Sequence, residues 1–471
     1  MIPRFARAAL YSMMLVSQVS TDTTRIEGYW RGTMKMPGGQ TLTCGLNVTH
    51  DTQGRLTATL DSPDQGAMDI PVSSVTFANQ VLRAEIARIG GIFEGTLQTD
   101  RDVLIGEWRQ GGAKFPLTLE RRDPAERTPL KRPQEPKKPY PYVEESATYQ
   151  NAKAAVTLAG TLTLPPRAAD SERVPAVLLL SGSGPQDRDQ SLLGHRPFLV
   201  LADHLTRQGI AVLRVDDRGV GGSTGSYVTS TLYDLAEDAV AGVEFLAAHR
   251  AIDPARIGII GHSEGGVVGP LAATKSTRIR FLVMMAGSGL IGEDIMYAQG
   301  AAILRANGAP ADGLAKQRAL QERIFAVLKQ EPDATKAAEK LKAVISEINP
   351  MAKDAERSAV ELSVKTMNQP WFRAFLTYDP RPTLRAVTCP VLAIIGEHDL
   401  QVPASENLAS IEQNLKQGGN KDVTVQMLPG LNHLFQTTRT GSPAEYGLIE
   451  ETIAPSALTV IADWIRAHTA R

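Results

Sequence analysis

The spacing of apolar side chains changes once along the chain, near residue 142. Before that point, short segments such as Leu56–Leu60, Val81–Ile86 and Phe115–Leu119 alternate apolar and polar positions between glycine-containing turns. A period of two is typical of strands that bury one face. We therefore predict that residues 24–122 form a separate antiparallel β barrel or sandwich of about eight strands.

Beyond residue 142, continuous apolar runs alternate with amphipathic segments. The runs, which predict buried strands, are Val174–Leu180, Ile210–Val215, Arg256–Ile260, Phe281–Ala286, Val391–Ile395 and Val423–Leu428. The segments, which predict helices, are Pro197–Gln208, Leu232–His249 and Pro455–His468. This alternation predicts a doubly wound, mostly parallel sheet, so the larger part of the chain is predicted to be α/β.

Two further segments complete the predicted domain organisation. Residues 123–141 contain prolines among charged side chains, a composition that predicts an extended linker. About a hundred residues separate two consecutive predicted strands, and Ala315–Ile348 within them has a strongly helical composition. We predict a sheet domain in two parts, 142–289 and 381–471, with residues 290–380 inserted as a helical cap.

The ends, charge and cysteines of the chain narrow the function classes. Arg4 and Arg7 precede a short apolar stretch, so residues 1–23 are predicted to be a signal peptide of a periplasmic or secreted protein. The alternative is an N-terminal tail on a cytoplasmic protein.

A net charge of −1 does not indicate nucleic-acid binding, and no apolar run is long enough to span a membrane. Cys44 and Cys389 fall in different predicted domains, which predicts neither a disulfide nor a metal site. The oligomeric state stays open.

The pentapeptide Gly261-His262-Ser263-Glu264-Gly265 lies between a β-branched run and a small apolar segment. A Gly-x-Ser-x-Gly between a strand and a helix is typical of a nucleophile elbow. In such a turn the serine hydroxyl is exposed at the edge of the sheet, next to the positive end of a helix dipole. Ser263 is therefore the predicted nucleophile.

A serine hydroxyl needs a general base, and the base needs an acid that orients it. In this type of fold the chain order is nucleophile, acid, histidine, which leaves His433 and His468. His433 follows a strand and the Pro429-Gly430 turn, whereas His468 lies in the last predicted helix, so His433 is the predicted base. His262 is assigned to packing.

Asp399 is the predicted acid, because it lies in a glycine-containing loop after the strand Val391–Ile395. Glu397 is the nearest competitor, and Glu293 or Asp294, after the preceding strand, is a rarer alternative. A capping or turn role for Asp399 is the structural alternative.

Two backbone N–H groups are needed to bind the oxygen of a tetrahedral intermediate. The residue after the nucleophile, Glu264, is predicted to supply one, and Ser183 in the glycine-rich loop after the first buried strand the other. A phosphate-binding loop is the rival interpretation, but no lysine follows. The loop Asp216–Ser223 is predicted to be a scaffold in which aspartate and arginine pair with each other. Trp371 and Phe375, in the predicted cap, are candidate acyl-binding residues, with core packing as the alternative.

Taken together, these motifs resemble one known superfamily. Ser-Gly-Ser-Gly-Pro with Gln186–Asp189, Asp-Asp-Arg-Gly, Gly-His-Ser-Glu-Gly-Gly and Gly-Glu-His-Asp are similar to α/β-hydrolases, in particular bacterial carboxylesterases of the dienelactone-hydrolase and serine-aminopeptidase-like branch. The resemblance covers the chain from about residue 142 to the end, and the β domain carries no matching motif.

The resemblance implies a serine carboxylesterase that hydrolyses small acyl esters and needs no cofactor or metal. A peptidase or amidase of the same fold is the first alternative, with Glu264 or cap carboxylates holding a substrate amine. A ligand-binding protein with an inactive hydrolase domain is the second, and the intact Ser, Asp and His set argues against it. The β domain could wall the site or bind a remote partner.

Overall fold

The computed structural model describes residues 23–35, 41–65, 67–110, 113–127, 131–166, 173–347 and 354–470. The chain divides into two compact units, with the main boundary between residues 127 and 128. The predicted signal peptide or tail, residues 1–23, lies outside the described residues except for Thr23.

The first unit is one curled antiparallel sheet of nine strands. The strands are β1 Gly28–Lys35, β2 Thr41–His50, β3 Leu56–Ser62, β4 Ala67–Pro71, β5 Ser74–Ala78, β6 Val81–Ile86, β7 Gly91–Gln98, β8 Val103–Gln110 and β9 Ala113–Arg122. Their order across the sheet is β4-β3-β2-β1-β9-β8-β7-β6-β5. The sheet curls around Trp30, Phe93 and Trp108, which are at most 3% exposed. The predicted β domain is thus a half-barrel whose core is filled by its own side chains.

The second unit is built on a mixed sheet of eight strands. The strands are β10 Val143–Asn151, β11 Val156–Leu164, β12 Val174–Leu180, β13 Ala211–Val215, β14 Ile252–His262, β15 Ile279–Met285, β16 Val391–Gly396 and β17 Val423–Leu428. Their order is β10-β11-β13-β12-β14-β15-β16-β17, and all pairs from β13 to β17 are parallel. The pairs that involve β10 or β11 are antiparallel. This topology, with a strand–turn–helix at β14, confirms the predicted α/β-hydrolase fold.

Helices cover both faces of this sheet and fill the insertion after β15. They are α1 Pro197–Arg207, α2 Leu232–Ala248, α3 Gly265–Ala273, α4 Gly292–Ala306, α5 Ala311–Gln330, α6 Ala334–Ser346, α7 Asp354–Met367, α8 Pro370–Thr377, α9 Pro380–Ala386, α10 Ala404–Gln417 and α11 Pro455–Thr469. One apolar layer lies under α2 and α3, and another under α1 and α11. The inserted helices bury a small cluster of their own, which includes Phe325, Leu341 and Phe372.

The strands that the sequence did not predict are β10 and β11. In β11, residues Val156, Leu158 and Leu162 are buried at every second position, so its alternation was a readable signal. In β10, only Ala147, Tyr149 and Asn151 are buried, and apart from the exposed Val143 the rest of the strand is polar. Such a strand forms because β11 offers it a complete ladder, not because of its own composition.

The second half of the predicted linker lies on the second unit. The Arg132 guanidinium donates to the main-chain carbonyl groups of Leu193, Gly194, Gly447 and Ile449 at 2.8–3.2 Å. The Gln134 side chain bonds to the main chain of Thr452 and Ile453. Residues 131–134 of the proline-rich stretch therefore belong to the second unit, because their side chains bind the main chain of its loops.

Candidate active site

Ser263 lies in the turn between β14 and α3, and its backbone has φ = +54°. A serine adopts this left-handed conformation only where the surroundings enforce it. The neighbouring glycines show how: a Cβ on Gly261 would stand 2.0 Å from the Gly265 carbonyl oxygen, and one on Gly265 would stand 2.2 Å from the Leu180 oxygen. The Ser263 N–H donates to the carbonyl oxygen of Met285 at 2.8 Å, which ties the turn to β15. The small residues of the motif are therefore required by close backbone approach.

Asp399 and His433 form a buried hydrogen-bonded pair. His433 Nδ1 lies 2.8 Å from Asp399 Oδ2, and the two residues are 4% and 3% exposed. Because a carboxylate accepts, Nδ1 carries the proton, and His433 Nε2 has the free lone pair of a base. The other carboxylate oxygen, Oδ1, accepts the N–H groups of Gln401 and Val402 at 2.8 Å each. These bonds fix the acid and the tautomer of the histidine.

The loops that carry this pair are packed backbone to backbone. The His398 N–H donates to the Leu431 oxygen at 2.9 Å, and a Cβ on Gly396 would stand 2.3 Å from that same oxygen. Asn432, fully buried, accepts the N–H groups of Leu434 and Gln436 with its side-chain oxygen. Asn432 thus shapes the turn around His433, a role that the sequence did not reveal.

His262 links the elbow to His433. Its Nε2 lies 2.9 Å from the His433 carbonyl oxygen, and its Nδ1 lies 2.9 Å from the Gln190 amide nitrogen. The carbonyl can only accept, so the proton is on Nε2 and the ring is neutral. Burial, then the nearby His433, lowers the pKa of His262 to about 3. Within the described residues, the Ser263 hydroxyl makes no hydrogen bond, so Ser263 and His433 are joined through His262 rather than directly.

The two predicted oxyanion donors lie among amides that are already bonded. Gly182 N–H donates to Gln190 Oε1 at 3.0 Å, and Gly184 N–H donates to the Tyr227 hydroxyl at 2.9 Å. Between them, and at the elbow, the N–H groups of Ser183 and Glu264 donate to no atom of the described chain. The site therefore keeps two backbone donors free where the sequence placed the oxyanion hole.

The Glu264 side chain is 4% exposed. Its Oε2 accepts from the Tyr227 hydroxyl and from the Trp371 indole N–H, both at 2.8 Å, while Oε1 makes no hydrogen bond in the described structure. Burial raises the pKa of Glu264 to about 7, although the hydrogen bonds from Trp371 and Tyr227 oppose the shift. A small cavity of about 50 Å³ borders Glu264, Tyr227 and Asp217, with room for water.

The rejected candidates lie elsewhere. Glu397 is exposed and accepts the Gly430 N–H at 2.9 Å. Glu293 binds Lys329 and Tyr297 in the helical insertion, and Asp294 is exposed on α4. His468 stacks on Trp464 at the C-terminal helix. Among the acids that the sequence proposed, Asp399 is the one bonded to His433.

In the Asp216–Ser223 loop neither aspartate pairs with Arg218, contrary to our prediction, although Asp216 accepts the Gly222 N–H within the loop. Asp216 binds Arg188 of the preceding loop, with Oδ2 2.6 Å from the guanidinium, and Arg218 binds Asp238 on α2. Asp217 accepts from the Ser181 hydroxyl and the Gln186 N–H, and burial raises its pKa to about 8. Asp216 and Arg218 thus pair with residues of other elements rather than with each other, because those elements hold the partner side chains in fixed positions. The loop is therefore a scaffold that is bonded to its neighbours.

Trp371 and Phe375, the candidate acyl-binding residues, stack on each other on α8. Their rings are nearly parallel, at 10°, with centroids 5.9 Å apart. Both side chains are half-buried. Through its bond to Glu264, Trp371 connects the helical insertion to the elbow.

No group of three or more His, Cys, Asp or Glu side chains among the described residues is arranged to hold a metal ion. None of the described helices is long and apolar enough to cross a membrane.

An elbow serine and an Asp–His pair on this sheet define the second unit as an α/β-hydrolase domain. Residues 128–430 match the X-Pro dipeptidyl-peptidase (S15) family, and the chain belongs to that family. The matched range contains Ser263 and Asp399 and ends three residues before His433.

Similar proteins include several esterases. The esterase EstD of Thermotoga maritima is 25% identical over 306 residues, and the match spans 65% of each chain. The esterase Pf2001 of Pyrococcus furiosus has a TM-score of 0.43 at 15% identity, covering 69% of this chain and 91% of its own. The α/β hydrolase GrgF of Penicillium sp. sh18 has a TM-score of 0.43 at 17% identity, covering 70% of this chain and 100% of its own.

The raised pKa of Glu264 predicts a pH-dependent stability. With a pKa of about 7 when folded and 4.5 as its ordinary value, the folded state binds more protons between these values, so stability falls as pH rises. The full effect is about 3 kcal/mol. When the pH is raised from about 5 to about 8, we expect the free energy of unfolding to decrease less in Glu264→Gln than in the wild type. Urea unfolding at each pH measures this free energy. Glu397→Gln, at an exposed site, is the control, and equal losses in wild type and Glu264→Gln would contradict the prediction.

Proposed function

We propose that this protein is a serine carboxylesterase that hydrolyses small acyl esters through an acyl-enzyme. The observation that carries the proposal is the buried Asp399–His433 pair, bonded through the His433 carbonyl to the residue that precedes Ser263. The similarity to an esterase from Thermotoga maritima supports ester hydrolysis. Membership of a peptidase family supports serine-hydrolase chemistry in general.

In the proposed mechanism, Ser263 Oγ attacks the ester carbonyl while His433 Nε2 accepts its proton. Asp399 holds the imidazole in the required tautomer and stabilises the imidazolium that forms. The N–H groups of Ser183 and Glu264 donate to the oxyanion, and the N-terminus of α3 adds its dipole. His433 then returns the proton to the leaving alcohol, and water attacks the acyl-enzyme by the same steps. All these groups are side chains or backbone amides of the protein.

The helical insertion is proposed to act as a cap that limits the acyl chain. The stacked pair Trp371 and Phe375 supplies an aromatic surface beside Glu264, whose N–H is the proposed donor. An aromatic wall close to the reacting carbonyl favours short acyl groups, because long chains need the volume that the rings occupy.

A peptidase is the second candidate, and the family match favours it. Cleavage of an amide uses the same nucleophile, base and oxyanion donors, and the fold does not separate the two reactions. An acidic side chain next to the nucleophile could hold a substrate amine. However, Glu264 Oε2 already accepts two hydrogen bonds, and a pKa of about 7 leaves its charge incomplete near neutral pH. Ester hydrolysis therefore has the better support.

Replacing the proposed nucleophile tests the mechanism. We expect Ser263→Ala to retain the fold but to lose covalent labelling by a fluorophosphonate and hydrolysis of p-nitrophenyl acetate. The reason is that the elbow presents no other hydroxyl to His433. Intact-mass spectrometry measures the labelling, and Ser405→Ala is the matched control because it removes an exposed hydroxyl of α10. Labelling of Ser263→Ala at another residue would contradict the assignment.

Replacing the proposed acid tests the choice among carboxylates. We expect Asp399→Asn to lower kcat by about 10⁴-fold, because an amide favours the wrong imidazole tautomer. Glu397→Gln removes a charge two residues away, on a side chain that bonds only the Gly430 N–H, and is expected to retain activity within a few-fold. Steady-state rates on p-nitrophenyl acetate compare the two variants. A severe loss in Glu397→Gln with a mild one in Asp399→Asn would reverse the assignment.

A substrate panel separates the two candidate functions and tests the acyl wall. We expect p-nitrophenyl esters to be cleaved with higher kcat/KM than aminoacyl or X-Pro p-nitroanilides, with a preference for short acyl chains. Phe375→Ala is expected to shift that preference toward longer chains, because it removes one ring of the stacked pair. Higher kcat/KM on anilides would favour the peptidase, and an unchanged chain-length profile would contradict the wall.

A further inference from the structure

The residues on both sides of Ser263 reach the same loop. This loop, Ser181–Gly184, follows β12 and is called the oxyanion loop below. On one side, His262 Nδ1 accepts from the Gln190 amide, whose oxygen accepts the Gly182 N–H. On the other side, Glu264 Oε2 accepts from the Tyr227 hydroxyl, whose oxygen accepts the Gly184 N–H.

We define the first chain of bonds as the His262 bridge (Gly182, Gln190, His262) and the second as the Glu264 bridge (Gly184, Tyr227, Glu264). Each consists of two hydrogen bonds of 2.8–3.0 Å. The bridging side chains are well buried: Gln190 is 3% exposed and Tyr227 is 4% exposed. Buried bonds of this kind are costly to break, because a released partner cannot be hydrated.

We propose that Gln190 and Tyr227 are positioning residues that hold the Ser183 N–H at the oxyanion position. The two bridges fasten the amides immediately before and after Ser183, and the Ser183 N–H is left without a partner in the described chain. Both bridges end on neighbours of Ser263, so the loop is set relative to the nucleophile itself. Both variable positions of the Gly-x-Ser-x-Gly motif thereby acquire a role. This inference rests on the proposed hydrolase function.

Apart from the bridges, the loop is held near Ser183 by the Gln186 side-chain amide, which donates to the Ser183 carbonyl oxygen at 3.3 Å, a longer bond than any in the bridges. Its glycines have no side chains to pack, and Gly184 has φ = +93°, a conformation open to glycine and to few other residues. Ser181 is bonded through its hydroxyl to Asp217, but that bond lies at the start of the loop, three residues before Gly184. An oxyanion donor works only if it is already oriented when charge develops, so mobility at Ser183 weakens it.

The Glu264 bridge also meets the helical insertion. The Trp371 indole N–H donates to the same Glu264 oxygen as Tyr227 does, at 2.8 Å, and the Tyr227 and Trp371 rings lie 6.0 Å apart. Contacts that order α8 therefore act on the same carboxyl group that restrains Gly184. The bridge connects substrate-facing residues of the insertion to the oxyanion loop.

The test uses Tyr227→Phe and Gln190→Met in the full chain, with Tyr233→Phe as the matched control. Tyr233 is 52% exposed and its hydroxyl bonds to no atom of the described chain, so its loss is expected to leave the rates unchanged. Rates on p-nitrophenyl acetate are expressed per active site titrated with a fluorophosphonate, which removes the effect of misfolded protein. We expect each bridge variant to lower kcat by about 10- to 100-fold, which does not exceed the loss of kcat caused by removing an oxyanion donor altogether. KM is expected to change by less than about twofold, because the bridges do not contact the substrate.

A second readout distinguishes positioning from a merely structural role. Ser263 Oγ adds to the carbonyl of a trifluoromethyl ketone, its proton passes to His433, and the ketone oxygen becomes an oxyanion in the adduct. We expect the inhibition constant for this ketone to rise in parallel with the loss of kcat in each bridge variant. Affinity for the corresponding neutral alcohol, which forms no oxyanion, is expected to stay constant.

Glu264→Gln and Glu264→Leu provide a rescue test for the same bridge. The glutamine keeps an oxygen that can accept from Tyr227, so it is expected to retain at least about tenfold more kcat than the leucine. Unchanged kcat and unchanged ketone affinity in both Tyr227→Phe and Gln190→Met would refute the inference. The proposed function would still stand in that case, because it depends on the activity of the wild type. Absence of wild-type hydrolysis and labelling would refute the proposed function and the inference with it.

Discussion

The close approach of three backbones at the elbow governs the geometry of the second unit. Ser263 can keep its left-handed φ because Gly261 and Gly265 let β14 and α3 meet at distances that a Cβ would forbid. Gly266 similarly allows α3 to lie against Gly287 at the end of β15, where a Cβ would come within 2.7 Å of its Cα. This packing directs the serine side chain away from the sheet and points the N-terminus of α3 at it. Every other group of the candidate site is arranged around that turn.

Hydrogen bonds between loops, rather than secondary structure, hold those other groups. The loop after β16 lies on the loop after β17 through main-chain bonds, and this contact brings Asp399 to His433. The loop after β13 is tied to its neighbours by ion pairs, Arg188 with Asp216 and Arg218 with Asp238. Such buried pairs are weak sources of stability, but breaking one leaves an unpaired charge, so they fix one loop arrangement strongly.

The electrostatics around Glu264 set it apart from an ordinary ion-pair network. Within the described residues its carboxyl group has hydroxyl and indole donors but no cationic partner, and burial keeps its pKa near 7. Asp217, with a pKa of about 8, borders the same small cavity. A full negative charge there would oppose the negative charge that develops on the oxyanion in the proposed mechanism. Burial reduces that conflict, because it favours the neutral form of both acids near neutral pH.

Much of the fold could be predicted because buried parallel strands have a strong local signature. The bounds predicted for Val174–Leu180 and Val423–Leu428 are those of β12 and β17. The polar strand β10 was missed, since its pairing with β11 is a property of the assembled sheet. Helix α10 was also missed, although its buried Ala404, Leu408, Ile411 and Leu415 recur at helical spacing, so its pattern was a readable signal.

The sequence by itself determined the elbow, because Gly-x-Ser-x-Gly between a strand and a helix satisfies a local steric requirement. The sequence also predicted Asp399 and His433 as the candidate acid and base, because they follow Ser263 in the chain order that this type of fold requires. Only the tertiary structure decided which carboxylate bonds to His433, which partners Asp216 and Arg218 take, and that Gln190 and Tyr227 flank Ser183. Those contacts join residues that are 8 to 43 positions apart along the chain. Their geometry depends on how loops that follow different strands contact each other at one edge of the sheet. A local sequence pattern does not predict such contacts.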